Sequence, residues 1–312
     1  MRYHRAVNAP RAPVFAFALA VAGCGGTPAP APAAPPPAAA VPAGVTRFLA
    51  GGDSRDDSAH VLPWAFREAK ARGAAAFFFL GDMELTPQFD AHFRRELDDL
   101  GPVLFYPVLG NHEVELFGFL QVGHAGAEAA FRAHFLGTAR TPVQSQLADR
   151  VVYSADLPGG MHFVALDNCS QRGFGTDQLA WLAADLERAR ESPAVRHVVV
   201  GMHKPLAHNG VATHGMDADG PEAQADSDAA LALFQRHRVS LVLASHVHQF
   251  VKFEQGGIPS YVTGGLGAPL NRAGPEHAFH HFLELDATAD DIQVNVVRFD
   301  GTPSVETDDV HD

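Results

Sequence analysis

The sequence predicts an α/β protein, on three observations. The chain has 312 residues, of which 46% are hydrophobic and 19% charged, which suits a large domain with a buried core. From Val45 onward, short apolar runs that end in Gly or Asp alternate with longer segments of helical spacing. Side chains able to bind metal follow five of these runs. We therefore expect strands alternating with helices around one shared site.

The N-terminal region is typical of an export signal. Three arginines precede the apolar run 14–20, which is too short to span a bilayer but suits the core of a signal peptide. The run leads to Val-Ala-Gly-Cys, ending at Cys24, which resembles the lipobox of bacterial lipoproteins. The alternative is an ordinary buried cysteine after a soluble helix. We predict a lipoprotein signal peptide over 1–23 and an exported protein, membrane-anchored through Cys24 and facing the periplasm or the cell exterior.

A spacer follows the anchor. Residues 25–44 are almost entirely Gly, Ala and Pro, without periodicity, so we predict a semi-extended tether over 24–44. The second cysteine, Cys169, has no partner if Cys24 carries lipid, so disulfides are not expected to hold the fold. Burial of Cys169 beside a strand end is favoured over a reactive role.

The remaining elements are predicted in order from apolar periodicity. The first part contains strands and amphipathic helices, the strands at 45–50, 75–80 and 103–108 and the helices at 59–72 and 87–100. A hairpin over 151–167 turns at 158–160, and an amphipathic helix follows over 177–191. Strand 195–200, helix 226–238 and strand 239–244 come next, and β segments continue to about residue 299. We predict a domain over 45–300 and a C-terminal tail over 301–312.

The loop 207–226 separates two strands that end in histidine. It is long, rich in Gly and acidic. Two interpretations stay open: a lid that carries His208 or His214 to a substrate, and a mobile solvated loop.

Polar residues stand at the end of five strand-like runs. Ligands of open α/β sheets collect outside the carboxyl ends of the strands, so residues far apart in sequence can converge there. Side chains two apart in extended backbone point to the same side, so two of the histidines can face inward together. The residues are Asp53, Asp82, Asn111, His112, His203, His246 and His248.

Each of these residues alone has an ordinary explanation. A lone Asp after a strand is usually a turn residue, and the chain has 18 histidines, most of which need no special role. Such residues at five successive strand ends are not explained by coincidence. The pattern therefore predicts one shared metal site.

The five motifs GDSR, GDMEL, GNHE, GMHKP and SHVH together resemble those of the calcineurin-like metallophosphoesterases. GNHE with HVHQFVKFE is most similar to the purple-acid-phosphatase-like branch, and the resemblance covers about 45–300. It implies a four-layer α/β sandwich, in which two β-sheets are flanked by helices, and a dinuclear metal centre that hydrolyses phosphoric esters.

The resemblance also implies the role of each site residue. One ion would be held by Asp53, Asp82 and His248. The other ion would be held by Asp82, Asn111, His203 and His246, so that Asp82 would bridge the two ions. His112 would be the acid or charge stabiliser beside the substrate. Mixed imidazole, carboxylate and amide ligands favour two divalent ions of Mn, Fe, Zn or Co over Mg or Ca. Two carboxylates offset half of the four positive charges, which leaves a surplus for an anionic phosphate.

The sequence departs from the family pattern at two positions. Arg55 stands where much of the family has histidine, and Leu85 where purple acid phosphatases have tyrosine. A guanidinium cannot bind a cation, so we predict that Arg55 either contacts substrate phosphate as a catalytic residue or forms a structural ion pair with Asp53 or Asp56.

Two neighbours of the motifs are less informative. Glu113 either orients His112 or is solvated. Ser245 replaces a glycine that is common before the paired histidines, a change that we expect to be tolerated.

The leading hypothesis is a metallophosphoesterase, a phosphomonoesterase or phosphodiesterase acting on a small phosphorylated substrate. The alternative is a degenerate member that binds a phosphorylated ligand or a partner without turnover. The net charge is −13 and basic patches are lacking, so no nucleic acid is expected as partner. Membrane contact is expected only through the lipid anchor, and the oligomeric state is left open.

Overall fold

The structure is a computed structural model that describes residues 41–299, apart from 58, 116–118, 211–213 and 273–274, together with a strand at 303–309. The predicted signal peptide, Cys24 and nearly all of the tether lie outside the described residues. Within the described part, no helix is both long and apolar enough to cross a membrane.

The described chain contains strands and helices in mixed order, and it ends in a run of strands from Leu241 onward. The strands are β1 (Thr46–Gly51), β2 (Ala76–Phe79), β3 (Leu104–Pro107), β4 (Ser145–Gln146), β5 (Tyr153–Leu157), β6 (Met161–Ala165), β7 (His197–Gly201), β8 (Leu241–Ala244), β9 (Phe250–Gln255), β10 (Ile258–Thr263), β11 (His281–Ala287), β12 (Ile292–Arg298) and β13 (Pro303–Asp309). The helices are α1 (Leu62–Ala71), α2 (Pro87–Asp99), α3 (Asn111–Val114), α4 (His124–Phe135), α5 (Gly175–Glu191) and α6 (Pro221–Arg236).

These strands form two mixed sheets. The first has the order β13-β12-β11-β1-β2-β3, and the second has the order β4-β5-β6-β7-β8-β10-β9. Strands β1 to β3 are parallel and in register, with Gly51 opposite Phe79 and Phe79 opposite Pro107. In the second sheet, Gly201 at the end of β7 pairs with Leu243 of the parallel strand β8. The carboxyl ends of neighbouring strands are therefore level, and the loops that follow them lie side by side.

Three apolar cores separate four layers. Between the sheets, the ring of Phe78 on β2 stacks on Phe163 of β6 at 4.1 Å. On the outer face of the first sheet, Phe77 and its neighbours pack against Phe66 of α1 and the other helices of that side. On the outer face of the second sheet, Val198 belongs to a core shared with α5 and α6. The alternation of inward and outward side chains along each strand produces this arrangement. The predicted four-layer α/β sandwich is confirmed.

Some element boundaries differ from the prediction. Helix α6 begins at Pro221, ahead of the predicted start at 226, because proline suits the first helical turn. Strand β13 pairs with β12 within the segment predicted as a C-terminal tail, so the first sheet extends past residue 300. The thiol of Cys169 is free and half-buried against the core on the outer face of the first sheet, and burial raises its pKa well above the usual value, which agrees with a structural role.

Candidate metal centre

The loops after the strands hold several site residues in left-handed backbone. The angle φ is 60° at Asp53, 59° at Asp82, 70° at His246 and 54° at His248. Residues other than glycine seldom adopt this region, and those that do cluster at functional sites. Apart from glycine, the residue types that tolerate this region best are Asn, Asp and His, so the residues found here suit both this backbone and metal binding.

Asp53 is fully buried, and its two oxygens have different surroundings. Oδ2 accepts the backbone N–H of His246 at 2.7 Å and the hydroxyl hydrogen of Ser245. No donor among the described residues bonds to Oδ1, and Nε2 of His248 lies 3.5 Å from it. A buried anionic oxygen without a partner is unfavourable, so Oδ1 fits a position that a cation would complete.

Asp82 lies between two sets of candidate ligands. Its Oδ1 accepts the backbone N–H of His112 at 3.0 Å and lies 3.2 Å from Nε2 of His203. Burial acts to raise the pKa of Asp82, but His203 and His112 outweigh burial and lower it below the usual value. The carboxylate is therefore charged, as a residue that bridges two ions must be.

His203 presents one defined nitrogen to the site. Its Nδ1 donates to the carbonyl oxygen of Leu80 at 2.7 Å, which leaves Nε2 to face Oδ1 of Asn111 at 3.1 Å. Burial acts to lower the pKa of His203, but the charge of Asp82 outweighs it and raises the pKa to about 9. A proton and a divalent cation therefore compete for this Nε2.

His246 and His248 complete the two sets. Nδ1 of His246 lies 3.2 Å from Nε2 of His203, and burial together with the charge of His203 lowers the pKa of His246 to about 3. His246 is thus neutral and can donate a lone pair. Nδ1 of His248 donates to the carbonyl oxygen of Pro269 at 2.8 Å, so its Nε2 is the nitrogen that faces Asp53.

The structure brings five of the six predicted ligands into two close groups, and Oδ1 of the sixth, Asn111, lies 3.1 Å from Nε2 of His203. Asp82, His203 and His246 form one group and Asp53, Asp82 and His248 form another, and the ligand atoms within each group lie within 4.8 Å of one another. Burial raises the pKa of Asp53, and the charge of Asp82 adds to this effect. Two buried carboxylates side by side call for a compensating cation, so the residues fit a metal centre with nitrogen and oxygen ligands.

Glu113 has a role that neither sequence interpretation anticipated. Its side chain is completely buried, and its carboxylate accepts four backbone N–H groups, from Asp82, Met83, Glu84 and Gly110, at 2.6–3.2 Å. It neither orients the His112 ring nor is solvated. Burial, with the charge of Asp82, raises its pKa to about 7. Glu113 holds the GDMEL loop against the GNHE loop.

Gly110 permits this close approach. A Cβ atom at this position would lie 2.3 Å from both the backbone N and Oδ1 of Asp82. The glycine of GNHE is thus required by sterics, because any side chain would displace the carboxylate expected to bridge the ions.

His112 lies between carboxylates at the edge of the centre. Its Nε2 is 3.8 Å from Oδ2 of Asp82, and its Nδ1 is 3.8 Å from Oε2 of Glu84 and 3.7 Å from Oε2 of Glu115. The side chain is 18% exposed, so a substrate at the centre can reach the ring.

Arg55 forms an ion pair that the sequence analysis missed. Its Nε donates to Oε2 of Glu84 at 2.5 Å, rather than to Asp53 or Asp56 as predicted. The prediction considered only carboxylates close to Arg55 in sequence, whereas Glu84 follows the next strand along the sheet. In the sequence, Glu84 was recognisable only as a charged residue two positions after Asp82.

Leu85 and the loop 207–226 have structural roles. Leu85 is buried in the core on the outer face of the first sheet, so it offers no ligand in place of tyrosine. Lys204 holds both oxygens of Asp219 at 2.7–2.8 Å, and Met216 is fully buried. The described part of this loop is thus packed on the domain rather than free in solvent. His208 pairs with Asp217 at 3.3 Å, and His214 is exposed.

Fold and site together define the class of protein. A four-layer α/β sandwich that gathers carboxylate, imidazole and amide groups at the carboxyl ends of its strands is the architecture implied by the five motifs. The family model of the calcineurin-like phosphoesterases matches residues 46–250, and the chain belongs to this family.

Individual relatives support the purple-acid-phosphatase-like branch. Purple acid phosphatase 21 of Arabidopsis thaliana is 27% identical over 226 residues, which is 68% of this chain and 48% of the relative. Purple acid phosphatase 22 of the same plant is 27% identical over 47% of this chain and 30% of its own length. The chain thus spans less than half the length of these two relatives. The solved purple acid phosphatase from yellow lupin (Lupinus luteus) seeds shares the fold, with a TM-score of 0.63, 16% identity and coverage of 84% of this chain and 53% of its own.

Proposed function

We propose that this protein hydrolyses phosphoric esters at a centre of two divalent metal ions. The observation that carries the proposal is the pair of ligand groups that share Asp82 in a member of the calcineurin-like phosphoesterase family. One ion would be held by Asp53, Asp82 and His248, and the other by the set Asp82, Asn111, His203 and His246. The donor types favour Mn, Fe, Zn or Co. When bound, two such ions stabilise charge on the phosphoryl oxygens and acidify the attacking water.

The residues of the chain prepare the site in three ways. Asp53 and Asp82 are buried and held by N–H donors, so their free lone pairs face the centre without rearrangement. His203 and His248 each donate Nδ1–H to a carbonyl, which fixes Nε2 as the coordinating atom. His112 lies beside the bridging carboxylate, where it can protonate the leaving oxygen or stabilise the phosphoryl charge.

Arg55 is the second residue that we assign to the substrate. Its side chain is 28% exposed and pairs with Glu84 through Nε. No acceptor among the described residues takes a hydrogen bond from its Nη groups, and these are the donors that match phosphate oxygens. The substrate is a small phosphoric monoester or diester.

A degenerate member that binds a phosphorylated ligand without turnover is the second candidate. Arg55 and Leu85 favour it, because both replace residue types that could serve the first ion. Retention of Asp82, Asn111, His112, His203, His246 and His248 favours the enzyme, because a binding module does not need all six.

One experiment separates the two candidates. The purified protein is analysed for bound metal, and its hydrolysis of an aryl phosphate monoester and of an aryl phosphate diester is measured before and after removal of metal by a chelator. The enzyme binds about two ions per chain and turns over at least one substrate, with activity lost on chelation and restored by Mn²⁺ or Zn²⁺. Bound metal without turnover of either ester would support the degenerate member.

The protein acts outside the cytoplasmic membrane in this proposal. The lipobox-like sequence at Cys24 and the spacer 25–44 support a lipid-anchored protein outside the cytoplasmic membrane. A tether of this composition keeps a catalytic domain away from the membrane surface while allowing it to reorient.

A further inference from the structure

Glu84 is a charged residue beside the candidate metal centre that the proposed function leaves without a role. It stands two positions after Asp82, in left-handed backbone with φ 48°. Its own N–H donates to Oε1 of Glu113 at 3.2 Å, the residue that holds the GDMEL loop. Glu84 is therefore fixed by its backbone to the same scaffold as the bridging carboxylate.

The side chain of Glu84 joins two residues of the site. Oε2 accepts Nε–H of Arg55 at 2.5 Å and lies 3.8 Å from Nδ1 of His112. Arg55 is held a second time, because its backbone N–H donates to the carbonyl oxygen of Asp82 at 2.8 Å. The two groups assigned to the substrate thus share one carboxylate.

The positive charge of Arg55 lies beside the expected metal ions and therefore requires a negatively charged partner. Arg55 stands two positions after Asp53, and its backbone N–H donates to the carbonyl oxygen of Asp82. The guanidinium therefore belongs to the same loop region as the two carboxylates expected at the first ion. An uncompensated positive charge there would repel a divalent cation, whereas the pair with Glu84 is neutral overall.

We infer that Glu84 is a positioning residue that lets arginine replace histidine beside the first ion. It neutralises Arg55 toward the metal, holds the guanidinium by Nε, and leaves the Nη nitrogens to bind a phosphate group. This inference rests on the proposed function, and it explains why Arg55 and Glu84 occur together in this chain.

The test compares four variants of the full chain: Glu84→Gln, Arg55→Gln, the double variant and the control Asp56→Asn. Asp56 is an exposed carboxylate adjacent to Arg55. Metal-stripped protein is titrated with Mn²⁺, and inhibition of the loaded enzyme by inorganic phosphate is measured separately. Glu84→Gln should weaken the binding of one Mn²⁺ by about tenfold, the effect of one unpaired charge near a divalent ion. The double variant should recover Mn²⁺ affinity to within about twofold of the wild type.

Phosphate inhibition provides the second readout. Arg55→Gln and the double variant should both weaken it by about tenfold, since both lose the guanidinium. A merely structural ion pair would instead lower thermal stability and leave Mn²⁺ affinity unchanged in Glu84→Gln.

The inference is overturned if Glu84→Gln binds Mn²⁺ as the wild type does, if the double variant binds no better than Glu84→Gln, or if Asp56→Asn has an equal effect. A wild-type chain that binds no Mn²⁺ and hydrolyses neither ester would instead overturn the proposed function itself.

Discussion

The hydroxyl of Ser245 donates a hydrogen bond to Oδ2 of Asp53, a residue 192 positions earlier in the chain. The same oxygen accepts the N–H of His246, while Oδ1 receives no hydrogen bond from the described residues. Asp53 is thus held by one oxygen and presents the other toward His248. Ser245, which we expected only to be tolerated in place of glycine, orients a residue that we assign to the first ion.

Ser245→Ala should therefore weaken metal binding. Loss of one hydrogen bond to a buried carboxylate lowers affinity for the first ion by about threefold to tenfold, since such bonds contribute roughly 0.5–1.5 kcal/mol. Isothermal titration of metal-stripped protein with Mn²⁺ measures this effect. Ser192→Ala, at the end of α5, is the matched control and should bind Mn²⁺ as the wild type does. Equal affinity in both variants would remove Ser245 from the site.

Glu113→Gln should destabilise the fold and the centre together. The amide nitrogen would face N–H donors that the carboxylate now accepts, which leaves buried groups unsatisfied at a loss of about 2–4 kcal/mol in the free energy of unfolding. Urea denaturation measures it. Glu115→Gln is the control for stability, because Glu115 is 56% exposed and should change the unfolding free energy by less than about 0.5 kcal/mol. A stability loss of the same size in both variants would contradict the role given to Glu113.

Stability should depend on pH through His162, which lies away from the metal centre. Its ring is completely buried between Asp156 and Asp185, with Nδ1 at 2.5 Å from Oδ1 of Asp156 and Nε2 at 2.9 Å from Oδ2 of Asp185. Burial acts to lower the pKa of His162, but these carboxylates outweigh it and raise the pKa above 6.5. The protonated ring therefore stabilises the folded state fully below pH about 6.5, and this contribution is lost as the pH rises through the folded-state pKa.

His162→Gln should accordingly cost more stability at pH 6 than at pH 9. We expect a loss of about 2–3 kcal/mol at pH 6, from an uncompensated buried carboxylate, and a smaller loss at pH 9. Urea unfolding of both proteins at the two pH values measures the difference. His277→Gln, which removes a partly exposed histidine, should show no such pH dependence. A loss for His162→Gln that is equal at pH 6 and pH 9 would show that the ring is neutral.

The site was predictable from sequence to the extent that its residues follow strands. Asp53, Asp82 and His203 stand directly after apolar runs, and the level carboxyl ends of parallel strands bring such residues together whatever their separation in sequence. The fold class followed from the same alternation of strands and helices.

The partners that orient these residues were not predictable. Ser245 meets Asp53, and Glu84 meets Arg55, across loops whose left-handed backbone no periodicity reveals. The role of Glu113 was the least predictable, because its partners are backbone N–H groups, and these cannot be recognised from residue type. Strand β13 was not predicted because its sequence, PSVETDD, lacks the apolar alternation that indicates a strand.

Cys24→Ser should release the protein from membranes. In the proposed arrangement, the lipid on Cys24 is the membrane attachment, and the proposed tether over 24–44 separates this lipid from the catalytic domain. Cell fractionation with an activity assay measures this. The variant should appear in the soluble fraction with its phosphatase activity unchanged. Activity that stays with the membranes would show that attachment does not depend on Cys24.

The most direct test of the central claim is the metal content of Asp82→Asn, with hydrolysis of an aryl phosphate measured on the same samples. Asp82 belongs to both groups of candidate ligands, so loss of its charge should lower the occupancy of both ions and reduce turnover by at least about a hundredfold. Asp56→Asn, in the exposed acidic flank of the first motif, should keep about two ions per chain and wild-type turnover. Equal metal content and equal turnover in the two variants would contradict a dinuclear centre bridged by Asp82.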